Sequence, residues 1–202
     1  MKKRVNNEDK NLLRHHLIVW VLLIATILAG AVFLSSYIGN SKESKKRYET
    51  LMAVDSAGGD VEKALLDLRS YMYAHMNTAI GSPTGVKPPI QLKGTYDRKV
   101  AEEQARVKAA NDELYNKAQR ECEKLFPEGL SGKGRVPCIT EYVTKNAVKE
   151  RTIPEAEYKY DFVVPLWSPD MAGYSLVTSA LLMLSLILSF ISLKRTKNLL
   201  AN

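Results

Sequence analysis

No Asp, Glu, Lys or Arg occurs between His15 and Ser41, and none between Met171 and Leu193. In a chain of 202 residues of which 25% are charged, two such gaps are a segregation, and they constrain the architecture more than any motif does. The first contains LIVWVLLIATILAGAVFLSSYI, Leu17 to Ile38. At ~1.5 Å per residue that run makes roughly 33 Å of helix, enough to cross a hydrocarbon layer of about 30 Å. The second run is as long. A soluble core helix would need covering on all sides, and so short a chain has no interior for one such helix, let alone two. Two transmembrane helices are therefore expected.

The first run also has features of a secretory signal. Ala29-Gly30-Ala31 offers small residues for cleavage. Cutting there would leave Val32-Phe33-Leu34 as an apolar new terminus, so the run is read as an uncleaved signal anchor. The expected organisation is a basic tail at 1–16, a span at 17–38, a mostly helical domain at 39–168, a second span at 169–193 and a basic tail at 194–202.

Orientation follows from charge. Lys2, Lys3, Arg4, Lys10 and Arg14 outnumber Glu8 and Asp9 in the first tail, and Lys194, Arg195 and Lys197 stand without an acid in the last. The positive-inside bias places both tails in the cytoplasm and the central domain outside. The overall charge of +7 thus resides mainly in the tails. The central domain is close to neutral, which argues against nucleic acid as its partner and leaves anionic lipid head groups as the partner of the tails.

Within the second span Ser175, Thr178, Ser179, Ser185, Ser189 and Ser192 share one side of a helix, and the first span carries Ala25, Thr26, Ala29, Gly30 and Ser36. Small residues let another backbone approach, so both stripes are candidate helix–helix interfaces, within the molecule or with a homo-oligomer or envelope partner. The alternative is that the hydroxyls bond the carbonyls of their own helix. Neither apolar run, 17–38 or 171–193, holds an Asp, Glu, Lys or Arg, which excludes the usual ion path or proton relay. Ser168-Pro169-Asp170 reads as a helix start, with Ser168 as the cap.

In the central domain Val61, Leu65, Leu68, Met72 and Met76 recur at helical spacing, and Gly58-Gly59 is expected to break the helix that leaves the first span. A Gly/Pro-rich loop covers 77–94. Helix returns at about Asp97 and runs to Lys124, with Val100, Val107, Leu114, Ala118, Cys122 and Leu125 as a narrow apolar seam. Glu102–Arg106 and Glu113–Lys117 have the spacing of helical ion pairs. So narrow a seam fits one partner helix, and the 60–76 helix is the natural choice. A second loop spans 126–137, a short helix 139–148, and 155–165 reads equally as helix or strand.

Cys122 and Cys138 are the only cysteines. In an exported domain an even pair predicts a disulfide, and closing so short a loop is worth about 3 kcal/mol on the chain-entropy model. The fold class expected is an all-α membrane protein, its two transmembrane helices flanking an extracytoplasmic helical hairpin with one disulfide.

Catalytic signals are few. His75 is the one histidine of the central domain, so no His-based metal triad or Ser-His-Asp arrangement can be assembled there from motifs, and phosphate loops and dinucleotide fingerprints are absent. Met72, His75 and Met76 share a helical face that would suit Cu(I), but methionines at that spacing more simply fill a helix contact. Neither cofactor nor metal is expected. Tyr158, Tyr160, Phe162 and Trp167, just before the second span, are the candidates for an exposed recognition patch.

The strings DLRSYMYAHMNT (67–78), KPPIQLKGTYDR (87–98), GRVPCITEYV (134–143) and YKYDFVVPLWSPDMAG (158–173) together resemble a group of uncharacterised two-span membrane proteins of ultrasmall, Saccharibacteria-type bacteria. The resemblance implies a bacterial plasma membrane and an outward-facing domain, and it brings no catalytic residue. The function expected is that of a non-enzymatic interaction or scaffold protein. The alternative is an extracytoplasmic ligand sensor signalling through its spans to a separate output protein.

Overall fold

The computed structural model describes residues 2–76, 86–127 and 134–201. Its helices are α1 (Lys2–Ala57), α2 (Val61–Ala74), α3 (Lys93–Leu125), α4 (Arg135–Asn146) and α5 (Met171–Ala201). Strand is confined, among the described residues, to β1 (Ile90–Gln91) and β2 (Lys159–Tyr160), paired antiparallel with Ile90 opposite Tyr160. The stretch that read as either helix or strand is a 3₁₀ turn at Glu155–Glu157 followed by β2. Parts of the two expected loops, 77–85 and 128–133, lie outside the described residues. The segments Leu13–Ala57 and Met171–Arg195 are long and apolar enough to cross a membrane.

The chain divides into two compact units. The first comprises Met1–Ala53, Asp60–Pro89 and Asp161–Asn202, and the second Val54–Gly59 and Ile90–Tyr160. At ~1.5 Å per residue the 56 residues of α1 make about 84 Å of helix, far longer than a ~30 Å hydrocarbon layer requires. It ends where the sequence places its break. Gly58 has φ +71°, its N–H donates to the Asp55 carbonyl (3.2 Å), and the Gly59 N–H donates to the Val54 carbonyl (2.9 Å). This Schellman pairing satisfies two of the carbonyls a helix end leaves open, and only glycine reaches that φ without strain. Asp60 then caps α2 by accepting from the Lys63 N–H (3.0 Å).

In the first unit α2 runs back along α1. Arg47 of α1 bonds Asp67 of α2 and lies 4.6 Å over the ring of Tyr71, and Asn40 Nδ2 donates to the Met76 carbonyl (2.9 Å). Leu51, Leu68 and Met72 are fully buried there. The 61–76 stripe therefore packs on α1, where the sequence reading paired it with the 97–124 helix. The tight turn at Gly58–Gly59 is the reason, because it reverses the chain before any other helix is available.

Burial on the two apolar helices is confined to one stripe each. On α1 it runs through Val19, Leu22, Thr26, Phe33, Tyr37 and Asn40, and on α5 through Ala172, Leu176, Ser179, Leu182, Leu186, Ser189 and Leu193. Steps of three and four residues are the mark of a helix with one contact face. Val19 lies as far back along α1 from Asn40 as Leu193 lies forward along α5 from Ala172, the antiparallel order that the bond from Asn40 to Asp170 (2.6 Å) sets.

In the second unit α3 packs on α4. The disulfide Cys122–Cys138 joins them with a Cα–Cα distance of 5.9 Å, as expected from the sequence. The Asn111 side chain then accepts from the Val148 N–H (2.9 Å) and donates to its carbonyl (3.1 Å), which pins the chain after α4 to the middle of α3. The hairpin of this unit is therefore α3 with α4. Ala118 and Cys122 are buried in its seam, whereas Leu125, expected there, is 69% exposed.

Candidate functional site

Three places in the fold bring functional side chains together. The first is a polar junction where the C-terminal end of α2 and the N-terminal end of α5 meet α1 at Asn40, well inside that helix. Asp170 Oδ1 accepts from the Gly173 N–H (2.8 Å), and its Oδ2 accepts from Asn40 Nδ2 and from the Met76 N–H (3.3 Å). Asp170 is thus the N-cap of α5, a role the sequence reading gave to Ser168. Ser168 is buried and its hydroxyl donates to the Tyr73 carbonyl (3.0 Å), so it ties the loop before α5 to α2. A Cβ at Gly173 would stand 1.9 Å from the Ser168 carbonyl oxygen, which shows how tightly that loop is pressed onto the first turn of α5. Next to the junction the His75 ring stacks on Tyr71 at 4.0 Å, and its Nδ1 lies 3.0 Å from the Tyr71 carbonyl. Met72 is buried between the helices. The Met72–His75–Met76 face is accounted for by these contacts.

The candidate interface serines of α5 bond their own helix. Ser175 donates to the carbonyls of Met171 and Ala172, Ser179 to Leu176 (2.9 Å) and Ser185 to Leu181 (2.9 Å). Ser175, Ser179 and Ser189 are half-buried on the α5 stripe, whereas Ser185 is exposed. A Cβ at Gly30 would meet nothing within 4 Å, so no neighbouring backbone approaches at the point where the small residues of α1 would allow it.

The aromatic candidates divide between the units. Tyr158 is half-buried against Tyr96, ring centroids 4.8 Å apart, and Tyr160 is exposed on β2. In the first unit Phe162 is half-buried, and Trp167 lies edge-on to Tyr174 at 6.2 Å. The most exposed apolar side chains of this stretch are Val163 and Leu166, at 87% and 90%. Alternation along the chain turns Phe162 and Val164 inward and Val163 outward, which the choice of aromatic residues alone does not reveal.

Two carboxylates of the second unit are buried, and neither stands out in the sequence. Asp55, in the last turn of α1, accepts from the N–H groups of Gly94 (2.7 Å) and Thr95 (2.8 Å), from the Thr95 hydroxyl (2.6 Å) and from Arg98 (3.3 Å). Burial pushes its pKa up, but the Thr95 hydroxyl, the two N–H groups and the Arg98 charge together bring it below the ordinary value. Glu103 takes a two-pronged bond from Arg106 (2.8 and 2.7 Å) and accepts from the Arg151 N–H (2.9 Å). The Arg106 bond first, then the Arg151 N–H, hold its pKa at about 2. Arg106 therefore pairs with Glu103, one residue from the Glu102 expected, and no ion pair joins Glu113 to Lys117 among the described residues. Both carboxylates are fully engaged, so each positions chain and neither is poised to move a proton.

The third place is a groove beside the disulfide, with a cavity volume of about 650 Å³, lined by Phe126, Pro137, Cys138, Glu141, Tyr142 and Lys145 among others. Leu125 and Phe126 at the end of α3 and Val136 at the start of α4 are exposed at 69%, 42% and 56%. Apolar anchors with one acid and one base beside them suit a polypeptide surface better than a small polar metabolite. Among the described residues no group of three or more His, Cys, Asp or Glu is placed to hold a metal ion. No protein family, curated protein or solved structure matches the chain.

Proposed function

We propose that the chain is a non-enzymatic integral membrane interaction protein of a bacterial plasma membrane. Its α1 and α5 cross the bilayer, both termini are cytoplasmic, and the disulfide-closed α3–α4 hairpin is presented outside to a protein partner. The partner is a second copy of this chain or another envelope protein. The groove beside Cys122–Cys138, with Phe126, Pro137 and Tyr142 in its wall, carries this reading. A cross-link-stiffened hairpin offers such a groove with little left to order on binding, which favours affinity. A photo-crosslinking amino acid at Tyr142 of the full-length protein, irradiated in its native membrane, is expected to capture one stoichiometric protein. A chain that stays monomeric and uncaptured at every expression level overturns the proposal.

One observation favours sensing as a second reading. A single uninterrupted helix leads from Lys2 to Asp55, and the Asp55 carboxylate holds the first turn of α3. A thermal-shift screen of the full chain in detergent separates the two. A small molecule that raises Tm supports sensing, and stabilisation by a protein alone supports docking.

A further inference from the structure

We propose that the segment 163–167 is a lipid-inserting loop, which sets the depth of α5 by burying Val163, Leu166 and Trp167 at the headgroup–acyl boundary. This inference rests on the reading of α5 as a membrane span. Between Asp161 and Asp170 the chain carries no charge, and its apolar side chains sort by direction: Phe162 and Val164 are half-buried, whereas Val163 and Leu166 are almost fully exposed. A loop this apolar and this exposed needs an occupant.

The occupant is a lipid surface, because the fold holds the loop at the start of the span. Ser168 is fastened to the Tyr73 carbonyl, Asp170 caps α5, and Gly173 admits the Ser168 carbonyl where any side chain would collide with it. The rings of Trp167 and Tyr174, a residue in the first turn of α5, stand perpendicular to each other at 89° with centroids 6.2 Å apart. Wherever α5 enters the bilayer, Trp167 is carried to that level. Met171 and Tyr174 are exposed beside it, at 66% and 58%, and continue the apolar surface into the span without a break. Tryptophan and tyrosine favour this level because each pairs an apolar ring with one polar hydrogen. The span delivers the loop to lipid with no second protein needed.

The chain has two tryptophans, so each can be read alone. The full-length Trp20→Phe protein is reconstituted into phosphatidylcholine–phosphatidylglycerol vesicles containing lipids that carry nitroxide quenchers near the head group or deep in the acyl chain. Trp167 is expected to emit at shorter wavelength than free indole, to lose most of its emission to the shallow quencher and little to the deep one, and to resist aqueous iodide. Adding Val163→Asp and Leu166→Asp is expected to restore iodide quenching. Quenching by iodide alone overturns the proposal, and so does protection from both iodide and lipid quenchers, which would mean that protein covers the loop. The Trp167→Phe protein reports Trp20 as control: if Trp20 is quenched by lipid and Trp167 is not, the loop proposal fails while the span stands. If neither is quenched by lipid, the span reading fails with it.

Discussion

The carboxylate of Asp55 accepts from the backbone N–H of Thr95 at 2.8 Å, so the last turn of α1 caps the first turn of α3 although the two residues are far apart in sequence. α3 has no side-chain cap from its own N-cap residue, Leu92. The orphan donors of a helix start are instead met by a residue that arrives from another helix.

Removing that carboxylate abandons two half-buried N–H donors, each worth up to roughly 1–3 kcal/mol when left unpaired. Asp55→Ala is expected to lower stability by about 2–4 kcal/mol, and Asp55→Asn, which keeps one acceptor oxygen, by less. Thermal unfolding of the full-length protein in detergent, followed by circular dichroism, checks the order. Equal losses for both variants would mean that the carboxylate does not act through those donors.

Glycine positions give a sharper steric contrast. A Cβ at Gly94 would lie 2.5 Å from the Asp55 carbonyl oxygen, a backbone atom that cannot swing away, whereas one at Gly30 would meet nothing within 4 Å. Gly94→Ala is expected to destabilise by about 1–3 kcal/mol, as overpacking does, and Gly30→Ala to leave Tm unchanged or slightly higher. A loss at Gly30 as large as that at Gly94 would show that a neighbour occupies the α1 groove in the membrane.

The Glu103 cluster predicts a pH dependence. The folded pKa of about 2 lies below the ordinary glutamate value of 4.5, so the carboxylate stabilises the fold fully above the ordinary carboxylate range and loses that contribution as pH falls towards 2. Glu103→Gln is therefore expected to lower Tm at pH 7, with the gap to the unmodified protein closing below about pH 4. A gap that stays constant down to pH 2 would show that Glu103 acts by packing alone.

Much of this architecture was legible in the sequence because it follows from local signals. The charge gaps announce α1 and α5, the Gly58-Gly59 pair marks the end of α1, and two cysteines in a domain read as exported leave one pairing. Pairing between helices was not legible. The apolar stripe of Val61–Met76 fits any narrow seam, and what directs it to α1 is the Schellman geometry of a single turn. Glu103 was hidden for a different reason. It is one of 22 acidic residues, and the Arg151 N–H that singles it out comes from a loop placed by the Asn111–Val148 bonds. Asp170 displaced Ser168 as cap because the serine hydroxyl had a better partner in the Tyr73 carbonyl, which no local pattern reveals.

The disulfide and the lysines together test sidedness, on which the proposed function depends. If the α3–α4 hairpin faces an oxidising exterior, chain taken from its native membrane under denaturing alkylation should carry no label on Cys122 or Cys138 until it is reduced. The double variant Cys122→Ala/Cys138→Ala should then unfold more easily by about 3 kcal/mol, the entropy returned to the unfolded chain by opening that loop. An impermeant amine reagent on intact cells should modify lysines such as Lys45, Lys117 and Lys145 and spare Lys2, Lys3, Lys10, Lys194 and Lys197, whereas permeabilised cells should show both sets. Labelling of the tails alone would invert the topology and place the cysteines in a reducing compartment, where the same alkylation would find free thiols. The two measurements must therefore agree: an oxidised pair with protected central lysines, or a reduced pair with exposed ones, fits neither orientation and overturns the proposed topology.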